Sequence, residues 1–166
     1  MSSVPVLHQL FFAEPAGRFA FGHVFRSAEV FWAPAEIAER RDTGSWRCDL
    51  TDHDRLTWSD TVYELFGLPV GEFVPRELAV ARYSEQSKAV LERLRSFAIK
   101  NRCGFILDAA IKPDGLDNQW IRIVTIPIVE GGKVVGLHGL KRSLQALNSR
   151  RPAGSGSRAA RLVGTD

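Results

Sequence analysis

The chain has 166 residues, 45% of them apolar, and a formal charge of +3 at neutral pH with histidine uncharged. That length suits one compact domain of about 100 to 130 residues with a real hydrophobic core, and leaves no room for a second. So mild a charge is no footprint for specific nucleic-acid binding, because Arg40, Arg41 and Arg47 are interleaved with acids instead of gathered with aromatics on one surface.

Residues 1–42 read as an aromatic-rich extension holding Phe11, Phe12, Phe19, Phe21, Phe25 and Phe31. Each large side chain left in water forgoes roughly 1.5 to 3 kcal/mol relative to burial, so the segment is expected to dock. Packing on its own domain and a dimer contact are both open; a membrane surface is disfavoured, because the basic amphipathic face is missing. A helix is expected near 33–41, with Pro34 in its first turn, Glu36 at the positive end of the dipole and Arg40-Arg41 at the negative end.

Residues 45–50 alternate as a strand, and 55–58 read as its hairpin partner. Ser59-Asp60 then offers an N-cap for a short helix carrying Val62, Leu65 and Phe66 on one face, stopped by Gly67. Residues 68–83, with Pro69, Gly71 and Pro75, read as loop with a helical turn around 76–81, a segment suited to form one wall of a pocket. Ser84 caps a longer helix running to about residue 101, in which Val90, Leu91, Leu94, Phe97 and Ala98 recur at helical spacing and should lie on a sheet.

Residues 104–141 read as a three-stranded antiparallel meander. Phe105, Leu107, Ala109 and Ile111 alternate with Ile106, Asp108, Ala110 and Lys112, and Pro113-Asp114-Gly115 makes the first turn. A β-branched and aromatic run from Trp120 to Val129 ends at Gly131-Gly132, and a third run follows from Lys133 to Leu140. Pro127 cannot donate to a ladder, which places it at an edge-facing or bulged position. Residues 144–166 read as a basic tail of low complexity, in which Arg150, Arg151, Arg158 and Arg161 sit among Gly, Ser and Ala.

Two strands, a short capped helix, a loop, a long helix and a meander, in that order, resemble the PAS domain, in the subclass common in bacterial sensor kinases and cyclases. The resemblance is carried by Gly44-Ser45-Trp46 with Asp49-Leu50, by Leu56-Thr57-Trp58-Ser59-Asp60 and by Tyr63-Glu64-Leu65-Phe66-Gly67. It continues through Leu107-Asp108, Pro113-Asp114-Gly115, Trp120-Ile121-Arg122, Pro127 and Gly132-Lys133-Val134-Val135-Gly136 to Gly139. It implies an α+β fold over 43–143, a five-stranded antiparallel sheet with helices packed on one face, plus the N-terminal helical extension.

Two departures carry expectations. Ala109-Ala110 stands where the family usually has Tyr-Arg, and the small side chains are expected to leave a void or ligand cavity beside the long helix. Arg142-Ser143-Leu144 replaces the Asp-Ile-Thr that often couples such domains to an effector, and no kinase, cyclase or DNA-binding domain follows. Output through contact with a partner is therefore expected in place of an intramolecular relay.

The resemblance would put a haem ligand in the long helix, but His8, His23, His53 and His138 all lie elsewhere, so haem is not expected. The flavin-linked Asn-Cys-Arg-Phe motif is scrambled to Asn101-Arg102-Cys103-Gly104-Phe105 and follows the helix, so a flavin adduct is not expected either. Cys48 and Cys103 are far apart and have no ligand partners at useful spacing, so neither a zinc site nor a disulfide framework is supported. No nucleophile elbow, paired carboxylate motif or helix-opening phosphate loop is present. No run approaches the about 20 apolar residues of a membrane helix, and no signal peptide is seen, giving a cytoplasmic location by default.

The sequence thus points to a non-catalytic sensory or protein-interaction module, with a homodimer, a signalling protein and a small-molecule ligand as its expected partners. Candidate pocket residues are Trp58, Phe66, Tyr83, Leu91, Leu94, Phe105, Leu107, Ala109 and Ile123. The same residues would serve an ordinary core, which leaves a dimerisation adaptor with a filled core, or a small enzyme using a repurposed cavity, as the alternatives.

Overall fold

The structure is a computed structural model that describes residues 22–26 and 42–144. Strands β1 (Gly22–Arg26), β2 (Thr43–Asp49) and β3 (Arg55–Trp58) are followed by helices α1 (Asp60–Phe66), α2 (Arg76–Ala81) and α3 (Glu85–Asn101). Strands β4 (Cys103–Ile111), β5 (Gln119–Glu130) and β6 (Lys133–Ser143) close the order. All six strands form one antiparallel sheet, β1-β4-β5-β6-β2-β3.

The five expected strands are all present. The sixth, β1, comes from the stretch read as an aromatic extension: Gly22 to Arg26 pair with Leu107 back to Cys103 along the edge of β4. Only five residues long, it offers too little alternation to stand out among phenylalanines. The helix expected near 33–41, the remaining extension phenylalanines and the tail from residue 145 lie outside the described residues. Leu144 is buried, and its N–H bonds the Trp120 carbonyl at 2.9 Å.

Local chemistry fixes how the helices meet the sheet. Ser59 stands at the start of α1, yet its Oγ accepts from the Ser45 N–H at 2.9 Å instead of capping the helix, tying α1 to β2. Gly44 makes that approach possible, since a Cβ there would lie 2.6 Å from Val62 Cγ2. Gly67 closes α1 with φ 64°, the left-handed conformation that glycine adopts without strain. At α3, the Ser84 Oγ accepts from the Ser87 N–H at 3.2 Å as a true cap.

The start of α3 sits directly on β4. The Ser84 N–H donates to the Ala110 carbonyl and the Ala110 N–H donates to Ser87 Oγ, both at 2.9 Å. The small residues at 109 and 110 therefore admit a helix: Ala109 is fully buried in the core and does not line the cavity that lies beside α3. That corrects the expectation of open space there.

Directly opposed residues in the ladder share a face, so register decides what points at the helices. One row on the helix side runs Leu107, Ile123, Lys141, Gly44; the next runs Phe105, Thr125, Gly139, Trp46, Trp58. On the opposite face Arg122 grips Asp108 with Nε and Nη2 at 2.6 and 2.7 Å, both residues buried. Pro127 lies beyond Thr125, where the pairing with β4 has ended, and a bulge follows at Ile128 and Val129, so its missing donor is accommodated. Among the described residues no helix is long and apolar enough to cross a membrane.

Candidate functional site

Within the helix-facing rows one residue breaks the apolar pattern. Lys141 is only 6% exposed, and its Nζ lies 4.6 Å from the centroid of Phe66, 5.2 Å from those of Trp46 and Trp58 and 5.8 Å from that of Tyr83. These rings hold one another: Trp58 packs on Phe66 at 4.9 Å and edge-on to Tyr63 at 5.4 Å, and Phe66 meets Tyr83 edge-on at 5.8 Å. Ring faces attract a desolvated ammonium by about 2 kcal/mol, which offsets only part of the several kcal/mol lost on leaving water. No carboxylate among the described residues pairs with it. Burial accordingly pushes the Lys141 amine down to about 7, with Cys48 acting weakly in the other direction.

Lys141 lines a half-open cavity of about 60 Å³ between the sheet, α2 and α3. The sheet contributes Phe105, Ile123, Thr125 and Leu137, with Trp46, Cys48 and Leu56 from the β2–β3 hairpin. Ala79 and Val80 of α2, Tyr83 in the linker and Leu91 of α3 form the opposite wall. Arg76 and Arg95 lie at its partly exposed rim, where Arg95 Nη2 meets Asp54 Oδ1 at 2.7 Å and Arg76 pairs with Glu92. Trp46 and Thr125 line the same space, and the indole Nε1 of the one and the hydroxyl of the other are buried with no hydrogen-bond partner among the described residues. Burial raises the Cys48 thiol and drives the Tyr83 phenol well above its ordinary range, so both stay neutral at physiological pH.

Of the nine residues proposed from sequence, Tyr83, Leu91, Phe105 and Ile123 border this cavity. Trp58 and Phe66 stand behind it as two of the rings around the Lys141 amine. Leu107 and Ala109 are fully buried core residues two and four positions further along β4 and do not border it. Leu94 lies on the far side of α3, in an open groove with Val24, Val90, Arg93 and Phe97. Phe97, expected on the sheet-facing stripe, is 49% exposed.

Lys141, Thr125, Trp46, Arg76 and Arg95 were not among those nine. A signal for Lys141 does exist, because Leu137 and Lys141 share one strand parity and Leu137 is plainly apolar. Reading it requires knowing which parity faces the helices, and the glycine at 139 blurs that choice.

The sequence matches no protein-family model and no curated protein. Solved structures do match. An RNA-binding light-oxygen-voltage receptor superposes with a TM-score of 0.56 at 13% identity, over 69% of this chain and 32% of that one, so the chain spans about a third of that receptor. The N-terminal domain of a diguanylate cyclase with PAS/PAC sensor from Marinobacter aquaeolei gives 0.57 at 15% identity, over 64% of this chain and 98% of that one. A sensory box histidine kinase/response regulator from Burkholderia thailandensis gives 0.58 at 9% identity, over 69% and 86%. With strands in the order β4-β5-β6-β2-β3 and its helices on one face of that sheet, the chain is a PAS-fold protein.

Proposed function

We propose that this protein is a non-catalytic sensory module that holds a small molecule in the cavity around Lys141 and signals through contacts with a second copy or a signalling partner in the cytoplasm. The observation that carries this reading is a buried lysine lining a cavity, with no carboxylate among the described residues to pair with it. A core with a purely structural role gains nothing from a lysine there, since an apolar residue of similar volume would avoid the desolvation. Fold likeness to proteins described as sensors agrees with the reading.

The mechanism is a population shift. An occupant touches Val80 of α2, Leu91 of α3 and Ile123 and Thr125 of the sheet, so it favours those placements of the two helices that close on it. Native mass spectrometry of freshly purified protein tests this: a retained small mass supports the sensor, whereas a ligand-free protein that no small molecule stabilises argues against it.

A second reading, a dimerisation adaptor, is favoured by the groove between β1 and α3, where Val24 is 46% and Phe97 49% exposed. If that strip joins two copies, Phe97→Glu turns the dimer into a monomer by light scattering. A dimer that survives the substitution places the contact elsewhere.

A further inference from the structure

We infer that the cavity is a site for a small monocarboxylate, with the carboxylate seated against the Lys141 amine and a short alkyl group against Leu91, Phe105 and Leu137. The inference rests on the reading that the cavity holds a ligand, and it names the chemical class.

Hydrogen-bonding capacity is the first ground. In its charged form the Lys141 amine can only donate, as can the indole N–H of Trp46, and the Thr125 hydroxyl has no partner to prevent it from donating. An occupant that satisfies all three must bring acceptors. Charge is the second ground. The side chains that can carry positive charge along the space are those of Lys141, Arg76 and Arg95, and among the described residues no carboxylate lines it. The rim arginines already meet Asp54 and Glu92, which leaves Lys141 as the bordering cation with no anion beside it among the described residues. Cys48 and Tyr83 face the same space and remain neutral. A single negative charge on the ligand is therefore matched.

Size is the third ground. On the scale where one water needs about 10 to 15 Å³, a cavity of about 60 Å³ takes roughly four to six heavy atoms. That suits acetate through butyrate as the group seated in its inner part.

Propionate and its neutral isostere propionamide, titrated calorimetrically into the full chain, test the inference. Propionate is expected to bind at least about tenfold more tightly at pH 7. Because the bound anion keeps Lys141 charged, binding at pH 8 should take up close to one proton, read from buffers of different ionisation heat. Affinity should then fall about tenfold per pH unit above 7. Lys141→Met, which keeps an unbranched side chain one atom shorter and removes its charge, should lose the preference and the proton uptake.

Propionamide binding as tightly as propionate overturns the carboxylate class while leaving the cavity reading intact. Propionate binding that Lys141→Met leaves unchanged also overturns it, by placing the anion elsewhere. If neither probe binds and the purified protein retains no small mass, the cavity reading fails with it.

Discussion

Lys141 is a charged group whose folded state favours the neutral form, and the sign of its effect on stability follows. Its amine titrates near 7 when folded and about 10.4 when unfolded, so between those values the unfolded chain binds more protons and stability rises with pH. Urea denaturation should show a gain of up to about 1.4 kcal/mol per pH unit from pH 7 to 8, a window that stops below the ordinary cysteine pKa of about 8.5. Lys141→Met should flatten that slope and stabilise the protein at pH 7 by several kcal/mol, on the order of the desolvation it removes. An unchanged slope would mean that the amine reaches water. Thr125→Val, which deletes a buried hydroxyl without a partner, should be neutral or stabilising by about 1 kcal/mol, while weakening propionate binding.

Elements were legible wherever the chain states a local rule. Ser84 and Gly67 bound α3 and α1 as their residue types require, and Pro113-Asp114-Gly115 and Gly131-Gly132 separate the strands of the meander. What sequence could not provide was distance between elements. Ala109-Ala110 signals small volume, but whether that volume stays empty depends on how closely α3 approaches, and the Ser87 to Ala110 hydrogen bond shows that it approaches fully. Ser87→Ala should therefore leave the Ala110 N–H without its partner in a partly buried setting and lower stability by about 1 kcal/mol, measured by denaturant unfolding. Gly139→Ala should be worse, at about 3 kcal/mol or more, because a Cβ there would lie 1.8 Å from the Val124 carbonyl oxygen.

Across the whole molecule, the α+β architecture could be read from element order, whereas the site could be read only in part. Tyr83, Leu91, Phe105 and Ile123 are apolar or aromatic residues on faces that periodicity identifies. Lys141 and Thr125 reach the same space through strand register, which two ladders on either side of β6 must fix together. Strand β1 was hidden for a related reason: its partner, β4, lies about eighty residues further along, and nothing local announces the pairing.

Helix α3 carries Leu91 and Arg95 on the cavity side and Val90, Leu94 and Phe97 on the side of Val24. Because residues three and four apart move together on a rigid helix, a small roll of α3 about its axis is transmitted to both surfaces at once. The helix is thus a shared gear between the cavity and the edge strand β1. Backbone amide exchange in Gly22–Arg26 would register an occupant that never touches that strand.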